Sequence, residues 1–389
     1  MKIERILKFE LPKKQSAFLW GARKTGKTTF LKSMFPDALF IDLLKSDIFL
    51  KYLKSPFLLR EELLAVIDKK PEQLIIIDEV QKVPLLLDEV HWLIENTDMH
   101  FILCGSSARK LRQKGVNLLG GRAWKFHFFP LVYPEIVHFD LLRALNNGLI
   151  PTHYLSETPK RFLRPYIEDY LIQEIKDEGL VRNLAAFARF LEAASFSNAE
   201  LVNYANIARD CGVDAKTVKE YFQILKDTLI GYDLLPFNKK GRREVIQSVP
   251  KFYFFDPGVV NAIAKREFKI LKGSEAGKSF ETYIFHELNA YNIMMEKYSD
   301  ISYWRTHGGL EVDFVINRGD VIIEVKISDN ISKTDLKGVI SFMEENTVSN
   351  AYIVCCESTI RKITTKDGYI IYVYPYNDFL KKMWNGNVF

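Results

Sequence analysis

The sequence predicts an α/β protein in which a helix-covered parallel sheet comes first, a helical segment follows, and a mixed α/β domain comes last. Short apolar runs alternate with helical patterns in the first third of the 389 residues, which is typical of a parallel sheet covered by helices. The pattern turns helical after Pro151 and mixes helix with strand again from about residue 251. Since this length exceeds one ordinary core, we expect three domains, at residues 1–150, 151–250 and 251–389.

The elements of the first domain can be placed from their apolar patterns. The predicted strands are Ser16–Trp20, Ala38–Asp42, Leu74–Asp78, His100–Cys104 and Trp124–Phe129. The predicted helices are Thr28–Met34, Leu58–Asp68 and Leu85–Asn96. Runs of this kind, apolar on both faces and separated by helices, indicate a parallel sheet.

Composition narrows the class of protein and its partners. A hydrophobic fraction of 48% with 26% charged residues is the balance of a globular chain. The formal net charge of +5 only weakly favours an acidic partner such as nucleic acid. Neither a secretory signal nor a bilayer-length apolar run of about 18 residues is found. We therefore expect a cytoplasmic protein without a membrane partner.

A phosphate-binding motif lies between the first strand and the first helix. The run Gly21-Ala22-Arg23-Lys24-Thr25-Gly26-Lys27-Thr28 matches GxxxxGK[ST] in the required strand-to-helix context. Its glycines let backbone N–H groups at a helix N-terminus surround phosphate oxygens. We expect Lys27 to bridge the terminal phosphates and the Thr28 hydroxyl to hold Mg²⁺, with Thr29 completing the binding segment. ATP and Mg²⁺ are the predicted cofactors.

Two carboxylates end the predicted strand Leu74–Asp78. Asp78 is expected to orient the magnesium shell, and Glu79 to act as the base that polarises the attacking water. Aliphatic runs ending in acids are common, but one placed downstream of a phosphate loop indicates an ATPase. After the next strand, the hydroxyls of Ser106 and Ser107 are candidates to sense the γ-phosphate, although two serines of an ordinary turn would give the same pattern.

Hydrolysis also needs a positive charge that stabilises the transition state, and a neighbouring subunit sometimes supplies it. Arg109, Arg122 and Arg164 are the candidates, and the residues alone do not choose among them.

The middle of the chain has the layout of a winged helix. Helical patterns at Tyr204–Cys211 and Ala215–Thr228 flank a tight turn with Gly212, and a polar hairpin follows. Residues that could contact DNA lie at the start of the second helix and in the basic turn of the hairpin. They are Lys216, Thr217, Lys219, Lys239, Lys240, Arg242 and Arg243. A packing module beside the nucleotide, with solvated charges, would carry the same residues.

The last domain carries the layout of a PD-(D/E)XK nuclease core. Glu281 lies on an apolar helix face, Asp313 on one strand, and Glu324 and Lys326 on one face of the next strand. Asp313 and Glu324 are predicted to hold Mg²⁺, while Lys326 would activate water or steady the phosphate. Two alternatives stay open: charged hairpin strands facing solvent, and a nuclease fold that serves as a binding platform.

From about Ser16 to about Phe342 the chain resembles a widespread prokaryotic family of AAA-type P-loop ATPases. The C-terminal half of that family is a winged-helix and restriction-endonuclease-like module of undefined role. The matching segments are the phosphate loop, Leu74–Gln81, Cys104–Arg109, Leu119–Arg122, Phe129–Leu131 with Glu135, Pro250–Gly258, and the surroundings of Glu281, Asp313 and Glu324–Lys326. Pro257 departs from the family pattern, which usually has a small or polar residue there.

The resemblance implies an AAA+ parallel-sheet domain, a winged-helix domain and a restriction-endonuclease-like domain. It also implies ATP hydrolysis with Mg²⁺ and self-association into an oligomer, in which Arg122 resembles the position best suited to complete a neighbour's site. Our leading hypothesis is an ATP-driven protein that acts on DNA. One alternative is a nucleotide-dependent signalling or defence switch whose nuclease-like domain is an effector or an inactive scaffold. Another is a peptide-threading ATPase with Phe49, Tyr52 and Phe57 near a pore loop.

Overall fold

The computed structural model describes residues 3–67, 73–107, 119–171, 181, 183–238 and 249–389. The chain divides into two compact units. One comprises Met1–Pro130 with Asp227–Leu229, and the other comprises Leu131–Lys226 with Ile230–Phe389. The first unit thus ends at Pro130 rather than near residue 150, and the division into three domains stays a prediction.

Long-range hydrogen bonds explain why residues 131–150 belong to the second unit. The Leu131 N–H donates to the Leu149 carbonyl at 2.8 Å, and the Leu149 N–H donates to Asp256 Oδ2 at 2.6 Å. Asp256 is buried and also caps the helix that begins at Pro257 by accepting from the Val259 N–H at 2.9 Å. Periodicity reports local pattern only, so it could not place this segment.

The first unit is built on a parallel sheet, as predicted. Within the described residues its strands are β1 Ser16–Trp20, β2 Leu39–Asp42, β3 Leu74–Asp78, β4 His100–Gly105 and β5 Ala123–His127. Their order is β2-β3-β4-β1-β5, and each neighbouring pair is parallel. β4 therefore lies between β1 and β3. The register pairs Trp20 with Gly105 and Cys104 with Asp78, so the carboxyl ends of these three strands meet at one edge.

Amphipathic helices cover this sheet. They are α1 Lys27–Met34, α2 Ser46–Lys54, α3 Leu58–Ile67 and α4 Leu86–Asn96. Leu86, Val90 and Leu93 recur at helical spacing on one buried face of α4. Acidic residues in its first turn stabilise the helix, because their negative charge lies at the positive end of the helix dipole. Full burial of one such side chain contributes about 1.5–3 kcal/mol. The predictions of α1, α3 and α4 are confirmed within one residue at each end.

The helix α2 was not predicted. Its Tyr52 is buried, and the hydroxyl donates to Glu62 Oε2 at 2.9 Å. Phe49 lies on the same helix and packs against the core, whereas Phe57 is 45% exposed. Of the aromatic residues proposed for a pore loop, Tyr52 is buried and Phe49 packs against the core. The structure therefore does not support the peptide-threading hypothesis.

The elements of the rest of the chain follow from residue 141 onward. The helices are α5 Leu141–Asn147, α6 Pro151–Tyr154, α7 Lys160–Pro165, α8 Leu184–Phe196, α9 Tyr204–Cys211, α10 Ala215–Asp227, α11 Pro257–Ile263, α12 Ser274–Met294, α13 Lys337–Glu345 and α14 Tyr376–Trp384. The strands are β6 Glu200–Leu201, β7 Gly231–Leu234, β8 Lys251–Phe254, β9 Ile301–Arg305, β10 Glu311–Ile316, β11 Val321–Val325, β12 Asn350–Cys355, β13 Arg361–Thr364 and β14 Ile370–Pro375.

The helical pattern that begins after Pro151 does not form one continuous α-helix. The segment α7 ends at Pro165, and a π-helical turn, Tyr166–Leu171, follows. A proline has no N–H for the α-helical bond, which interrupts the regular pattern. Residues 172–180 lie outside the described part of the chain.

The helix-turn-helix prediction is confirmed at α9 and α10. Asn203 caps α9 by accepting from the Asn206 N–H at 3.0 Å, and Gly212 ends the helix in the left-handed region at φ 67°. Strands β6, β8 and β7 form a small antiparallel sheet in that order. Residues 239–248, between β7 and β8, are not among the described residues.

A mixed sheet forms the last part of the chain, in the order β13-β14-β12-β11-β10-β9. Neighbours β9, β10 and β11 are antiparallel, whereas β11, β12 and β14 are parallel. The helix α12 precedes this sheet in the chain, and α13 connects β11 to β12. The two consecutive strands predicted around Asp313 and Glu324 are confirmed as β10 and β11, while β13, β14 and α14 were not predicted. No helix in the described ranges is long and apolar enough to cross a membrane.

Two helical glycines differ in the space around them, and this predicts opposite effects of alanine. A Cβ at Gly338 in α13 would lie 1.9 Å from the Glu311 carbonyl oxygen, whereas one at Gly277 in α12 would lie 3.6 Å from Ile327. We expect Gly338→Ala to lower the free energy of unfolding by about 1–3 kcal/mol through overpacking. Gly277→Ala should raise it by about 0.5–1 kcal/mol through helix propensity.

Urea unfolding followed by far-ultraviolet circular dichroism measures both variants against wild type. Equal midpoints for Gly338→Ala and Gly277→Ala would contradict the close approach of α13 to β10.

Candidate nucleotide site and acidic centre

The phosphate loop leaves β1 where only glycine fits. A Cβ at Gly21 would lie 2.2 Å from the Phe128 carbonyl oxygen, and the Gly21 N–H donates to the Gly105 carbonyl at 3.3 Å. Gly26 adopts φ +99° immediately before α1, a left-handed conformation that favours glycine. The predicted loop therefore lies between β1 and α1, with Thr29 exposed in the first turn of the helix.

Lys27 points into its own loop. Its ammonium donates to the Gly21 carbonyl at 2.6 Å and to the Ala22 carbonyl at 3.0 Å, and the residue is only 5% exposed. Thr25 also bonds within the loop, from its hydroxyl to the Ala22 carbonyl at 2.8 Å. Phosphate oxygens, which are charged, would be stronger acceptors for this ammonium than the neutral carbonyls.

Thr28 and Asp78 meet at the sheet edge. The Thr28 hydroxyl donates to Asp78 Oδ2 at 2.6 Å, and Asp78 Oδ1 accepts from the Glu79 N–H at 3.1 Å. A hydroxyl and a carboxylate side by side are hard oxygen ligands, which Mg²⁺ prefers, so these residues fit the predicted ion. Burial, with the nearby Asp78 charge, raises the pKa of the Cys104 thiol well above its ordinary value, which keeps the thiol neutral.

Glu79 is held in an unusual backbone conformation. Its φ of 58° is left-handed, which is uncommon outside glycine and costs about 1 kcal/mol or more. The carboxylate accepts from Gln81 Nε2 at 2.5 Å and lies 3.5 Å from an Arg23 guanidinium nitrogen. Such strain is retained where the surroundings fix a side chain for a task.

Gln81 is a site residue for which the sequence suggested no role. Its amide nitrogen also donates to Ser106 Oγ at 3.0 Å, which joins Glu79 to the serine proposed as a sensor. Gly105 permits this arrangement, because a Cβ there would lie 2.5 Å from Gln81 Oε1. The available signal in the sequence is a polar residue two positions after the candidate base, and the structure places it in a buried 3₁₀ turn.

Arg5 is a second residue missed by the sequence analysis. Its guanidinium lies 4.1 Å from the centre of the Phe128 ring and donates to the carbonyls of Thr25 and Phe129, both at 2.7 Å. It therefore ties the phosphate loop to the segment that follows β5. No local pattern around Arg5 predicts a partner more than a hundred residues away in the chain.

The three candidate arginines lie in different places. Arg122 precedes β5, pairs with Glu95 on the surface, and lies at the sheet edge opposite the phosphate loop, about 16 Å away along a five-residue strand. It thus cannot reach the nucleotide of its own chain. Arg164 pairs with Glu168 at 3.0 Å in the second unit, and Arg109 lies outside the described residues.

The predicted nuclease residues do come together. We call Glu281, Asp313, Glu324, Lys326 and the newly found Lys251 the acidic centre. Asp313 Oδ2 accepts from the Val325 N–H at 2.9 Å, Glu324 Oε2 accepts from the Asp313 N–H at 3.3 Å, and Lys326 donates to Glu324 Oε1. Burial and the Asp313 charge raise the pKa values of Glu281 and Glu324.

Lys251 on β8 enters this centre although the sequence suggested no role for it. The residue is 2% exposed, and its ammonium lies 3.0 Å from Glu281 Oε1 and 3.5 Å from Asp313 Oδ1. Burial alone would lower the pKa of Lys251, but the carboxylate charges outweigh it and raise that pKa well above its ordinary value. Tyr253 on the same strand face donates to Glu281 Oε1 at 2.5 Å.

The structure describes some of the residues expected to contact DNA, those at the start of α10. Lys216 and Lys219 are exposed on the first turns of α10, and the Lys219 ammonium lies 5.3 Å from the Tyr204 ring centre. Thr217 bonds locally, because its N–H and hydroxyl donate to Asp214 at 2.8 and 2.9 Å. Lys239, Lys240, Arg242 and Arg243 lie outside the described residues.

The parallel sheet, the phosphate loop and the paired Thr28 and Asp78 define a P-loop nucleotide-binding domain. Residues 13–137 match the family described as AAA domain, so this part of the chain is an AAA-type P-loop ATPase domain. Residues 139–269 match a domain of unknown function, DUF8612, and residues 276–379 match a domain of unknown function, DUF4143.

No curated protein matches the chain. Among solved structures, the chain is similar to the Orc1 protein of Aeropyrum pernix in complex with DNA, at 13% identity. That match covers 66% of this chain and 87% of the other, with a TM-score of 0.26.

The bridge made by Gln81 predicts a selective loss of turnover. Because Gln81 positions Glu79 without belonging to the phosphate loop, Gln81→Ala should lower kcat for ATP hydrolysis by about 10–100-fold, as loss of an outer-shell partner does. ATP affinity should be kept. Steady-state hydrolysis and titration with a fluorescent ATP analogue separate the two.

Gln73→Ala is the matched control, because Gln73 precedes β3 at the opposite sheet edge and bonds the Asp37 carbonyl. Equal losses in Gln73→Ala and Gln81→Ala, or a loss of ATP affinity in Gln81→Ala, would refute a positioning role.

Proposed function

We propose that this protein binds and hydrolyses ATP and couples that cycle to DNA. The observation that carries the ATPase half is the contact of Thr28 with Asp78 beside a Glu79 held by Gln81. Magnesium bound by Thr28 and Asp78 would neutralise phosphate charge. Lys27 would exchange its carbonyl acceptors for phosphate oxygens, and Glu79 would take a proton from the attacking water.

Position supports a role for Arg122 in a neighbouring copy. The guanidinium lies at the sheet edge away from its own phosphate loop and is exposed, paired only at the surface with Glu95 among the contacts described. Surface ion pairs contribute little and are readily exchanged. Self-association into an AAA-type oligomer would let Arg122 approach the nucleotide of another chain.

The DNA half rests on the elements between α8 and β8. Helices α9 and α10 with the sheet β6-β8-β7 have the order of a winged helix, and the sequence between β7 and β8 contains Lys239, Lys240, Arg242 and Arg243. Lys216 and Lys219 are exposed at the start of α10, where a recognition helix meets the groove. Asp214 and Glu220 flank them, so lysine contacts with phosphate would need to outweigh nearby acids.

The last domain is proposed to be restriction-endonuclease-like. Its support is the order α12, β9, β10, β11, α13, β12, with the carboxylates of the acidic centre on α12, β10 and β11. The alternative function, a nucleotide-dependent switch with this domain as an inactive scaffold, is favoured by one observation. Lys251 lies among the carboxylates that cleavage would require.

ATP hydrolysis by variants tests the first half. Lys27→Ala should abolish ATP binding, whereas Glu79→Gln should keep binding and lower kcat by about 10²–10⁴-fold, the usual contribution of a general base. Lys32→Ala, on the last turn of α1, is the control and should hydrolyse like wild type. Phosphate release and nucleotide titration, each with and without duplex, single-stranded and branched DNA, give both quantities.

Wild-type turnover by Glu79→Gln would remove it as the base. ATP binding without multiple turnovers and without any response to DNA would contradict the DNA-coupled cycle. It would favour the nucleotide-dependent switch.

Salt dependence of DNA binding tests the second half. Replacing Lys216 and Lys219 by alanine should weaken binding to every sequence alike and reduce the slope of log K against log salt by about 1 per lost phosphate contact. Fluorescence anisotropy of a labelled duplex measures the slope. Lys381→Ala with Lys382→Ala on α14 removes the same charge elsewhere, and matching slopes for the two double variants would refute contact through α10.

A further inference from the structure

We propose that the Lys251 ammonium occupies the cation position of the acidic centre, so that this centre does not take the Mg²⁺ that its sequence pattern predicts. The inference concerns the last domain alone, and it stands whether or not residues 13–137 hydrolyse ATP.

Geometry places the ammonium among carboxylates from two elements. Lys251 Nζ lies 3.0 Å from Glu281 Oε1 on α12 and 3.5 Å from Asp313 Oδ1 on β10, and it also contacts Glu311. A divalent ion would need several of the same oxygens at about 2.1 Å around one point. The ammonium and a metal ion would therefore compete for one position.

The oxygens of the two predicted metal ligands already have protein donors. Asp313 Oδ1 faces Lys251, and Oδ2 accepts from the Val325 N–H at 2.9 Å. Glu324 Oε1 accepts from Lys326, and Oε2 accepts from the Asp313 N–H at 3.3 Å. Among the described residues, no group of three or more histidine, cysteine, aspartate or glutamate side chains is arranged to hold a metal ion.

Charge in the centre is nearly balanced without a metal. Three cations, Lys251, Lys326 and Arg305, contact four carboxylates when Glu311 beside the centre is included, and Arg305 lies 3.5 Å from that Glu311. The four carboxylates are those of Asp313, Glu324, Glu311 and Glu281. The fourth carboxylate, Glu281, additionally accepts the Tyr253 hydroxyl. Buried ions need partners of opposite charge, so removing Lys251 would leave carboxylates uncompensated. Adding a divalent cation would instead place a metal ion beside the Lys251 ammonium, and the two cations would repel each other.

The position of Lys251 is set by strand pairing rather than by a flexible loop. The register places Lys251 opposite Leu234 on β7 and Leu201 on β6, so its backbone is held from both sides. The Lys251 side chain is only 3% exposed, so the ammonium is buried beside its carboxylate partners. The last domain, as folded, is therefore a binding or scaffold domain rather than a metal-dependent nuclease.

Binding of Mn²⁺, followed by the loss of its free electron paramagnetic resonance signal, tests this in the nucleotide-free full chain. All proteins carry Thr28→Ala and Asp78→Asn, which removes the other candidate metal site. With Lys251 intact, we expect no binding that depends on Asp313 at Mn²⁺ concentrations on the order of 1 mM, where weak protein sites fill. Lys251→Met should gain one Mn²⁺ per chain, and adding Asp313→Asn should remove it.

The exposed Lys265→Met is the matched control, and neither it nor Lys251→Arg should gain a site. Binding by the chain with Lys251 intact that is lost in Asp313→Asn would overturn the proposal. A folded Lys251→Met that gains no site would also overturn it. If Lys251→Met fails to fold, the comparison of intact chain with Asp313→Asn still decides, because the proposal requires the two to bind Mn²⁺ equally.

Discussion

Both polar centres of this chain are built around the cost of burying ionised side chains. Moving an ion out of water costs several kcal/mol, and the cost is recovered only when charge partners and hydrogen bonds surround it. Lys27 is 5% exposed and Lys251 is 2% exposed, and each ammonium has its acceptors within 3.5 Å. The strands, helix and loop around each centre supply those acceptors.

The two lysines differ in what holds them. Lys27 bonds the neutral carbonyls of Gly21 and Ala22, and a phosphate offers charged oxygens in exchange. Lys251 already faces charged carboxylates on a helix and a strand, so an incoming ligand has little to offer it. One centre is thus prepared to bind an anion, while the other is complete without a ligand.

Close backbone approach is what allows the nucleotide site to be compact. Gly21 lets the loop pass against the Phe128 carbonyl, and Gly105 leaves room for the Gln81 amide. Gln81 in turn holds Glu79, whose carboxylate lies 3.5 Å from a guanidinium nitrogen of Arg23 in the phosphate loop. A carboxylate fixed in this way would need little rearrangement to act as the proposed base, which is the advantage of a preorganised site.

The sequence by itself determined the parallel sheet, the phosphate loop with its paired Asp78, and the helix-turn-helix, because each depends on local periodicity or short spacing. It also predicted that Glu281, Asp313 and Glu324 belong to one centre, because their order matches the layout of a nuclease core. Strand alternation by itself placed only Glu324 and Lys326 on one face. Tertiary structure alone decided the rest. Arg5, Gln81 and Lys251 acquire their roles from partners that are distant in the chain or on a neighbouring element, and residues 131–150 join the second unit through bonds to Asp256. Periodicity carries no record of such contacts, because they depend on which elements pack together and not on the pattern within any one of them.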